Sequence, residues 1–420
     1  MRAQRRTGTQ WLLLGLLFAL LFAVESVAVY RLFTSRVPSG NDFYSRWAGG
    51  RALLVEGRDP YSLEVTAEIQ VVKGIDPGLE GKGGFAYPLY VLFSFWPLVY
   101  VPYAWAQAIW MVVLQWLVLA VVLVLVRLEG WRPSPLGLAG LFAGTLFLYP
   151  VARTILLGQF TLHVTVLLAL SLLFLERRRD GWAGVCLAAT AIKPQLVILI
   201  APWLVIWTVL QRRWRFLGGM IAAGGLLLLG SLALFPRWPL SFVEDLGRYS
   251  AVAGGRNPLQ VLLDLAWPGG PEAVRYLVAG LLLLAMLATW WQARRGEPAT
   301  FRRAVHWCIV VSLLVPFQTG TTNQAMLLIP FFAWLRPALA PARVSSGRQG
   351  GRGGRWRRAA VVTAVAVLEL GLWALFLATI KGDWENPALF LPLPLLSLVV
   401  LIAIEVSQWR AGRLPVSRPA

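Results

Sequence analysis

An acid with aromatic neighbours stands at Asn41-Asp42-Phe43-Tyr44, followed by Arg46 and then by Gly57-Arg58-Asp59-Pro60-Tyr61. The apolar run before it, Trp11–Phe33, is long enough to cross a bilayer, so the Asp42 carboxylate falls close to a membrane surface. A carboxylate there can act as a general base, taking the proton of a hydroxyl that attacks an activated substrate. Asp42 would serve equally as an ordinary loop acid, or as the N-cap of a helix starting at Phe43. Glu56, Asp59, Glu64 and Glu68 share the segment and read as solvated charges or turn formers, Asp59-Pro60 being a common turn pair.

A second set of residues suits an anion. Lys193 is enclosed by apolar sequence on both sides, where a cation needs a partner such as a lipid phosphate. Pro194 breaks the helix beside it and can turn it toward a cavity. A lysine snorkelling from a turn between two short spans is the plainer reading. Arg153 is the one arginine between Arg132 and Arg177, and its planar guanidinium can grip a phosphate with two hydrogen bonds. Gln159, Asn323 and Gln324 are neutral hydrogen-bonding side chains suited to sugar hydroxyls, and equally to bonds between helices. Tyr44, Tyr61, Tyr87 and Trp47 could stack on a sugar face, although most of the 21 tryptophans and 10 tyrosines read as an interfacial belt or as packing.

Other chemistries find no support. Cys186 and Cys308 lie in apolar runs without motif spacing, and His163 and His306 have no second ligand type at helical spacing, so no metal site is expected. No phosphate-binding glycine loop, zinc-protease helix motif or serine nucleophile elbow is present, and no cofactor is expected.

The elements that must position these residues follow from composition. The chain has 420 residues, 58% of them hydrophobic, with apolar runs from end to end. That pattern excludes a soluble globular protein and predicts an all-α integral membrane protein. A β-barrel would need short alternating strands, and none is seen. The first run is too long for a signal peptide and lacks a cleavage pattern, so it is expected to be retained. The spacing predicts spans near Trp11–Phe33, Tyr103–Val126, Leu136–Pro150, Phe160–Leu175, Trp182–Ile192 and Gln195–Leu210. Further spans are expected near Phe216–Phe235, Ala273–Trp291, Ala304–Phe317, Gln324–Trp334, Ala359–Ile380 and Ala388–Val406. These make a bundle of about twelve transmembrane helices in one polytopic domain, 1–420.

The net charge of +19 does not point to nucleic acid, because the arginines cluster in short breaks between apolar runs. These breaks are Arg2–Arg6, Arg127–Arg132, Arg177–Arg179, Arg212–Arg215, Arg294–Arg303, Arg336–Arg358 and Arg410–Arg418. The positive-inside rule puts them in the cytoplasm with both termini, and puts the Asp42 segment outside a plasma membrane. The first external loop, 34–86, is expected to be partly helical, with short interfacial helices at Trp47–Leu54 and Leu63–Val72 and a mobile stretch at 81–84. A second external loop is expected at 236–272, carrying Tyr249, Arg256, Asn257 and Asp264. The Gly-, Ser- and Arg-rich stretch 340–358 reads as a disordered cytoplasmic loop facing membrane lipids. Polar turns at Arg153–Gln159, Ile192–Gln195 and Gln318–Gln324 join short helices on the outer side.

With these segments in order, the chain resembles the polytopic GT-C glycosyltransferases, and most closely glycosyltransferase family 87. The resemblance rests on Asp42-Phe43-Tyr44 with Gly57-Arg58-Asp59-Pro60-Tyr61; on Phe85-Ala86-Tyr87-Pro88 with Pro97-Leu98; on Leu157-Gly158-Gln159-Phe160-Thr161; and on Ala191-Ile192-Lys193-Pro194 with Arg212-Arg213-Trp214-Arg215. It implies a GT-C-like bundle in which a sugar passes, with inversion, from a polyprenyl-phosphate donor to a hydroxyl of a lipid or glycan acceptor on the outer face. It further implies that Asp42 is the catalytic base and that Gly158, Gln159, Lys193 and Pro194 are cavity and donor-phosphate positions. Arg153 would join Lys193 at the departing phosphate, and Gln159, Tyr44, Tyr87, Asn323 and Gln324 would contact substrate. Such a donor is already activated, so no nucleotide site is needed. In the late external turn, where the family pattern carries a histidine, this chain has Thr321-Thr322-Asn323-Gln324. A transporter or flippase for a lipid-linked or amphipathic solute is the main alternative, although related halves are not seen. A non-catalytic scaffold would leave Lys193 and Arg153 unexplained.

Overall fold

The protein is described here by a computed structural model covering residues 8–37, 42–76, 79, 82–252, 257–316, 320–339, 352–380 and 385–410. Asn41, Gly81, Arg256, Gln318, Thr319, the chain ends Arg2–Arg6 and Arg413–Arg418, and most of the basic stretch 340–358 lie outside those residues. Among the described residues the regular structure consists entirely of helices and helical turns. Six helices are long and apolar enough to cross a membrane: Gly8–Thr34, Tyr103–Leu128, Trp214–Leu234, Glu272–Ala293, Ala359–Thr379 and Pro387–Arg410. The pair Pro135–Phe147 and Tyr149–Leu157, bent by 63°, makes a seventh if it is one span. The remaining expected spans coincide with shorter elements: Thr161–Glu176, Asp180–Ile192, Ile200–Leu210, Pro298–Leu314, and the 3-10 turn Thr321–Leu327 with helix Leu328–Leu339. The protein is thus a multi-pass, all-α membrane protein, and six of the twelve expected spans meet the length criterion unaided.

The residues gather into two compact units, the first formed by Met1–Leu117, Ile155–Gln159 and Gly230–Ala253. In it the first long helix lies along residues 103–117 of helix Tyr103–Leu128. Trp116 donates its indole N–H to Glu25 at 2.9 Å, Tyr30 stacks on Trp105 at 3.9 Å, and Thr34 donates to the Ala104 carbonyl at 2.7 Å. Then come helices Asp42–Leu54 and Leu63–Lys73, close to the two expected in this loop. Ser62 caps the second by accepting from the Val65 N–H, and Gly74 ends it at φ +63°. Ala52, Val65 and Ile69 form the core between them, with Tyr44 and Ala48 against it. Pro88, Pro97 and Pro102 punctuate the next stretch, which holds the 3-10 turns Leu89–Ser94 and Trp96–Tyr100 rather than an α-helix. At the expected second loop, Trp238–Val252 is helical and packs into this same unit.

The second unit comprises Val118–Thr154, Phe160–Leu229 and Gly254–Ala420. Here Thr161–Glu176 and Asp180–Ala189 form a helix pair, and Glu272–Ala293 and Pro298–Leu314 another. Helix Trp214–Leu234 crosses Asp180–Ala189 at glycines. A Cβ on Gly184 would lie 2.0 Å from the Phe216 carbonyl oxygen and 2.8 Å from the Met220 nitrogen, both backbone atoms that cannot turn aside. Gly184→Ala should therefore force the helices apart and cost about 1–3 kcal/mol, read as a lower melting temperature in detergent. Gly218→Ala, with nothing within 4 Å, is the control and should melt no lower than the wild type. Equal melting of the two variants would contradict the crossing.

Candidate functional site

In the first unit, Asp42 is the first residue of helix Asp42–Leu54. Gln159 donates its side-chain N–H to Asp42 Oδ2 at 2.5 Å, and Lys73 Nζ lies 3.6 Å from Oδ1. The Asp42 side chain remains 36% exposed, so a substrate hydroxyl can reach it. Gln159 is held from its other end, because the Tyr87 hydroxyl donates to its Oε1 at 3.3 Å. That bond fixes which way the amide points, and so keeps its N–H on the aspartate. Burial pushes the Tyr87 hydroxyl up to about 12, which keeps it a donor at neutral pH. Arg46 sits 4.4 Å above the Tyr87 ring and donates to the Asp42 carbonyl at 2.8 Å, so it braces both residues.

The Gly158-Gln159 pair has a local cause. Gly158 has φ +69°, and a Cβ there would meet Phe43 Cβ at 2.5 Å. Trp110, stacked on Phe43 at 4.9 Å, donates its indole N–H to the Gly158 carbonyl at 2.9 Å. Only glycine allows this approach, and the approach carries Gln159 to Asp42.

Helix Trp238–Val252 straps the site from the side. Asp245, fully buried, accepts the Ala86 N–H at 3.2 Å, and Ala86 is held at φ +46°, a left-handed conformation unusual for alanine. Arg248 donates to the Tyr61 carbonyl at 2.9 Å, and Tyr61 donates its hydroxyl to the Tyr87 carbonyl at 2.7 Å. Ser241 donates to Asp59 Oδ2 at 3.0 Å, while Asp59 Oδ1 accepts the Tyr61 N–H at 2.9 Å. Asp59-Pro60-Tyr61 is therefore a brace under Tyr87, a role that sequence reasoning left at a turn. Burial pushes the Asp245 carboxyl up to about 6, against the pull of Arg248 and the Ala86 N–H. The folded state thus holds this proton more tightly than the unfolded one. The resulting stabilisation, on the order of 3 kcal/mol, is full below the unfolded value of 3.8 and fades as pH rises through about 6. Asp245→Asn, neutral throughout, should flatten the fall in melting temperature between about pH 4 and pH 7. Parallel profiles for variant and wild type would exclude this titration.

In the second unit, Lys193 follows the 3-10 turn Thr190–Ile192 and is 3% exposed. Its ammonium donates to Asn323 Oδ1 at 2.8 Å and to Thr161 Oγ1 at 3.2 Å, both neutral oxygens. Thr161 also donates to Asn323 at 3.3 Å, and Thr154 donates to the Thr322 carbonyl at 3.1 Å. Arg153 is paired: its Nε donates to Glu385 Oε1 at 2.6 Å, with the two side chains 8% and 10% exposed. Tyr149 and Thr321 donate to the same carboxylate at 2.9 and 2.6 Å.

The structure therefore brings Asp42, Gln159 and Tyr87 together in one unit, and Lys193 and Asn323 together in the other. Tyr44 faces Tyr103 and Trp47 in an aromatic cluster, and Gln324 donates to the Phe390 carbonyl at 2.9 Å. Sequence reasoning gave no role at the site to Lys73, Asp245 or Glu385, and quoted Arg46 and Thr161 only within longer stretches. Glu385 carried the one available signal, an acid in a short break between two apolar runs. Among the described residues no three His, Cys, Asp or Glu side chains are grouped to hold a metal ion.

Residues 85–316, more than half of the chain, match the family model described as glycosyltransferase family 87. The match takes in Arg153, Gln159 and Lys193 and begins beyond Asp42. No curated protein and no solved structure matches the chain.

Proposed function

The chain belongs to glycosyltransferase family 87, and from that premise we propose that it moves a sugar from a polyprenyl-phosphate donor to a hydroxyl of a lipid or glycan acceptor. The sugar is mannose or another hexose or pentose, and transfer takes place on the outer face of the plasma membrane with both chain ends in the cytoplasm. The acceptor oxygen attacks the anomeric carbon from the side opposite the phosphate. The carbon–oxygen bond to phosphate breaks, the electron pair leaves with the phosphate, and Asp42 takes the acceptor proton. Inversion follows from this single displacement.

The observation that carries this reading is the Tyr87–Gln159–Asp42 chain of hydrogen bonds, which aims a partly exposed carboxylate whose Oδ1 lies 3.6 Å from Lys73. Lys193 is assigned to the donor phosphate, because it is a buried ammonium held in place by Asn323 and Thr161, and a preorganised cation of this kind stabilises the charge of a departing phosphate. Arg153 is already engaged by Glu385, so its contribution to phosphate is limited to the guanidinium N–H groups not pointing at that carboxylate. Asn323 and Thr161 then orient Lys193.

The test is to offer purified protein a panel of short-chain polyprenyl-phosphate sugars and of nucleotide sugars, with native membrane lipid extract as acceptor. The expected result is labelled product from a polyprenyl-phosphate sugar alone, with inverted anomeric configuration. Product from nucleotide sugars alone, or a retained configuration, would overturn the donor or the mechanism. Solute uptake into vesicles without any transfer would favour the transporter reading.

A further inference from the structure

A separate feature of the second unit has no part in the transfer chemistry. A cavity of about 540 Å³ opens between the start of helix Asp180–Ala189 and helix Trp214–Leu234, within the usual range of small-molecule sites (roughly 300–1,000 Å³). Arg178, Arg179 and Arg215 line it together with Trp182. The one acid of the lining, Asp180, is already taken by Arg213, which meets both its carboxylate oxygens and also donates to the Leu175 carbonyl. Among the described residues no carboxylate lies within ion-pair distance of Arg178, Arg179 or Arg215.

The backbone is committed to this arrangement. Gly181 and Gly219 touch, a Cβ on Gly219 falling 2.0 Å from the Gly181 carbonyl oxygen, so no side chain fills the floor between the helices. The turn before each helix holds an arginine in the left-handed region, Arg178 at φ +58° and Arg212 at φ +54°. Glycine is the easy residue at such helix ends, so an arginine there stands against conformational preference.

We propose that this cavity binds the phosphate headgroup of an anionic phospholipid. Several guanidinium groups facing one concavity repel one another until an anion joins them, and guanidinium matches phosphate oxygens with paired N–H donors. The surroundings select a lipid over free phosphate. Helix Trp214–Leu234 is long and apolar, with 6% of its apolar window buried, so acyl chains can lie along it directly below the arginines. Trp182, 63% exposed, lines the opening as interfacial tryptophans do.

The experiment uses the full chain in nanodiscs made from phosphatidylcholine and phosphatidylglycerol of identical acyl chains, with retained lipid counted by native mass spectrometry. Wild type should retain phosphatidylglycerol over phosphatidylcholine by about tenfold, and Arg178→Gln/Arg179→Gln/Arg215→Gln should lose that preference. A charge-matched control, Arg127→Gln/Arg132→Gln/Arg295→Gln, should keep it. If the first triple does not fold, the triple exchange of the same arginines for Lys keeps the charge and should lose at least half of the preference through lost paired contacts. Equal retention by the first triple and wild type overturns the site. Equal loss in the control shows general surface charge and overturns it as well, and displacement of the lipid by millimolar inorganic phosphate overturns the choice of lipid.

Discussion

Asp42→Asn is expected to lower turnover by about 10²–10⁴-fold, the usual worth of a positioned general base. Asparagine has the same shape and still offers an oxygen to the Gln159 N–H, so the site should keep its geometry and lose only the proton acceptor. The Lys73 contact, 3.6 Å long and partly exposed, is worth less than about 1 kcal/mol, so the variant should fold normally. Donor affinity should stay at the wild-type value, because Asp42 is assigned to the acceptor proton. Steady-state kcat and donor KM on purified protein check both halves. Equal loss in Asp42→Asn and in a variant that merely unfolds the loop would point to structure instead, and circular dichroism separates the two.

Lys193→Met is the second large effect, expected to reduce kcat by about 10²–10³-fold and to weaken the donor, as removal of one preorganised charge contact does elsewhere. Methionine fills the same buried volume without a charge. Thr161 and Asn323 retain their own 3.3 Å hydrogen bond, so neither is left without a partner. The acceptor KM should not move, because the lysine is assigned to phosphate alone. Unchanged donor affinity in a folded Lys193→Met protein would remove that assignment and leave Lys193 as a polar staple among Thr161 and Asn323.

Much of this architecture was legible because it is local. The long apolar runs became helices close to their expected bounds, and Leu63–Lys73 formed where mixed charged and apolar character suggested it. Asp42 stood out by position after the first span. Gly158-Gln159 could be quoted as a motif, but its reason, contact with Phe43 and Trp110, depends on packing between residues far apart in the chain. Lys193 was singled out as a costly buried cation; its partner Thr161 is too ordinary in type to be picked from composition, and Asn323 was picked for sugar hydroxyls rather than for the lysine. Arg153 is the opposite case. Its guanidinium looked available for phosphate because its partner, Glu385, is 232 residues away and leaves no local trace. Asp245 was hidden in the same way, read as part of a loop when helix Trp238–Val252 carries it to the Ala86 N–H. Of the expected spans, those shorter than a bilayer's thickness are the ones that periodicity could place but not count, since proline and glycine break them into short helices and turns.

The most direct measurement is a single-turnover transfer with donor pre-bound to purified wild type and Asp42→Asn, the occupancy of donor being determined in the same samples. The expected result is full donor occupancy in both, with the rate of sugar transfer in the variant lower by at least about 100-fold. Transfer at the wild-type rate by a fully loaded Asp42→Asn protein would contradict the assignment of Asp42 as the base, and with it the account of how this glycosyltransferase works.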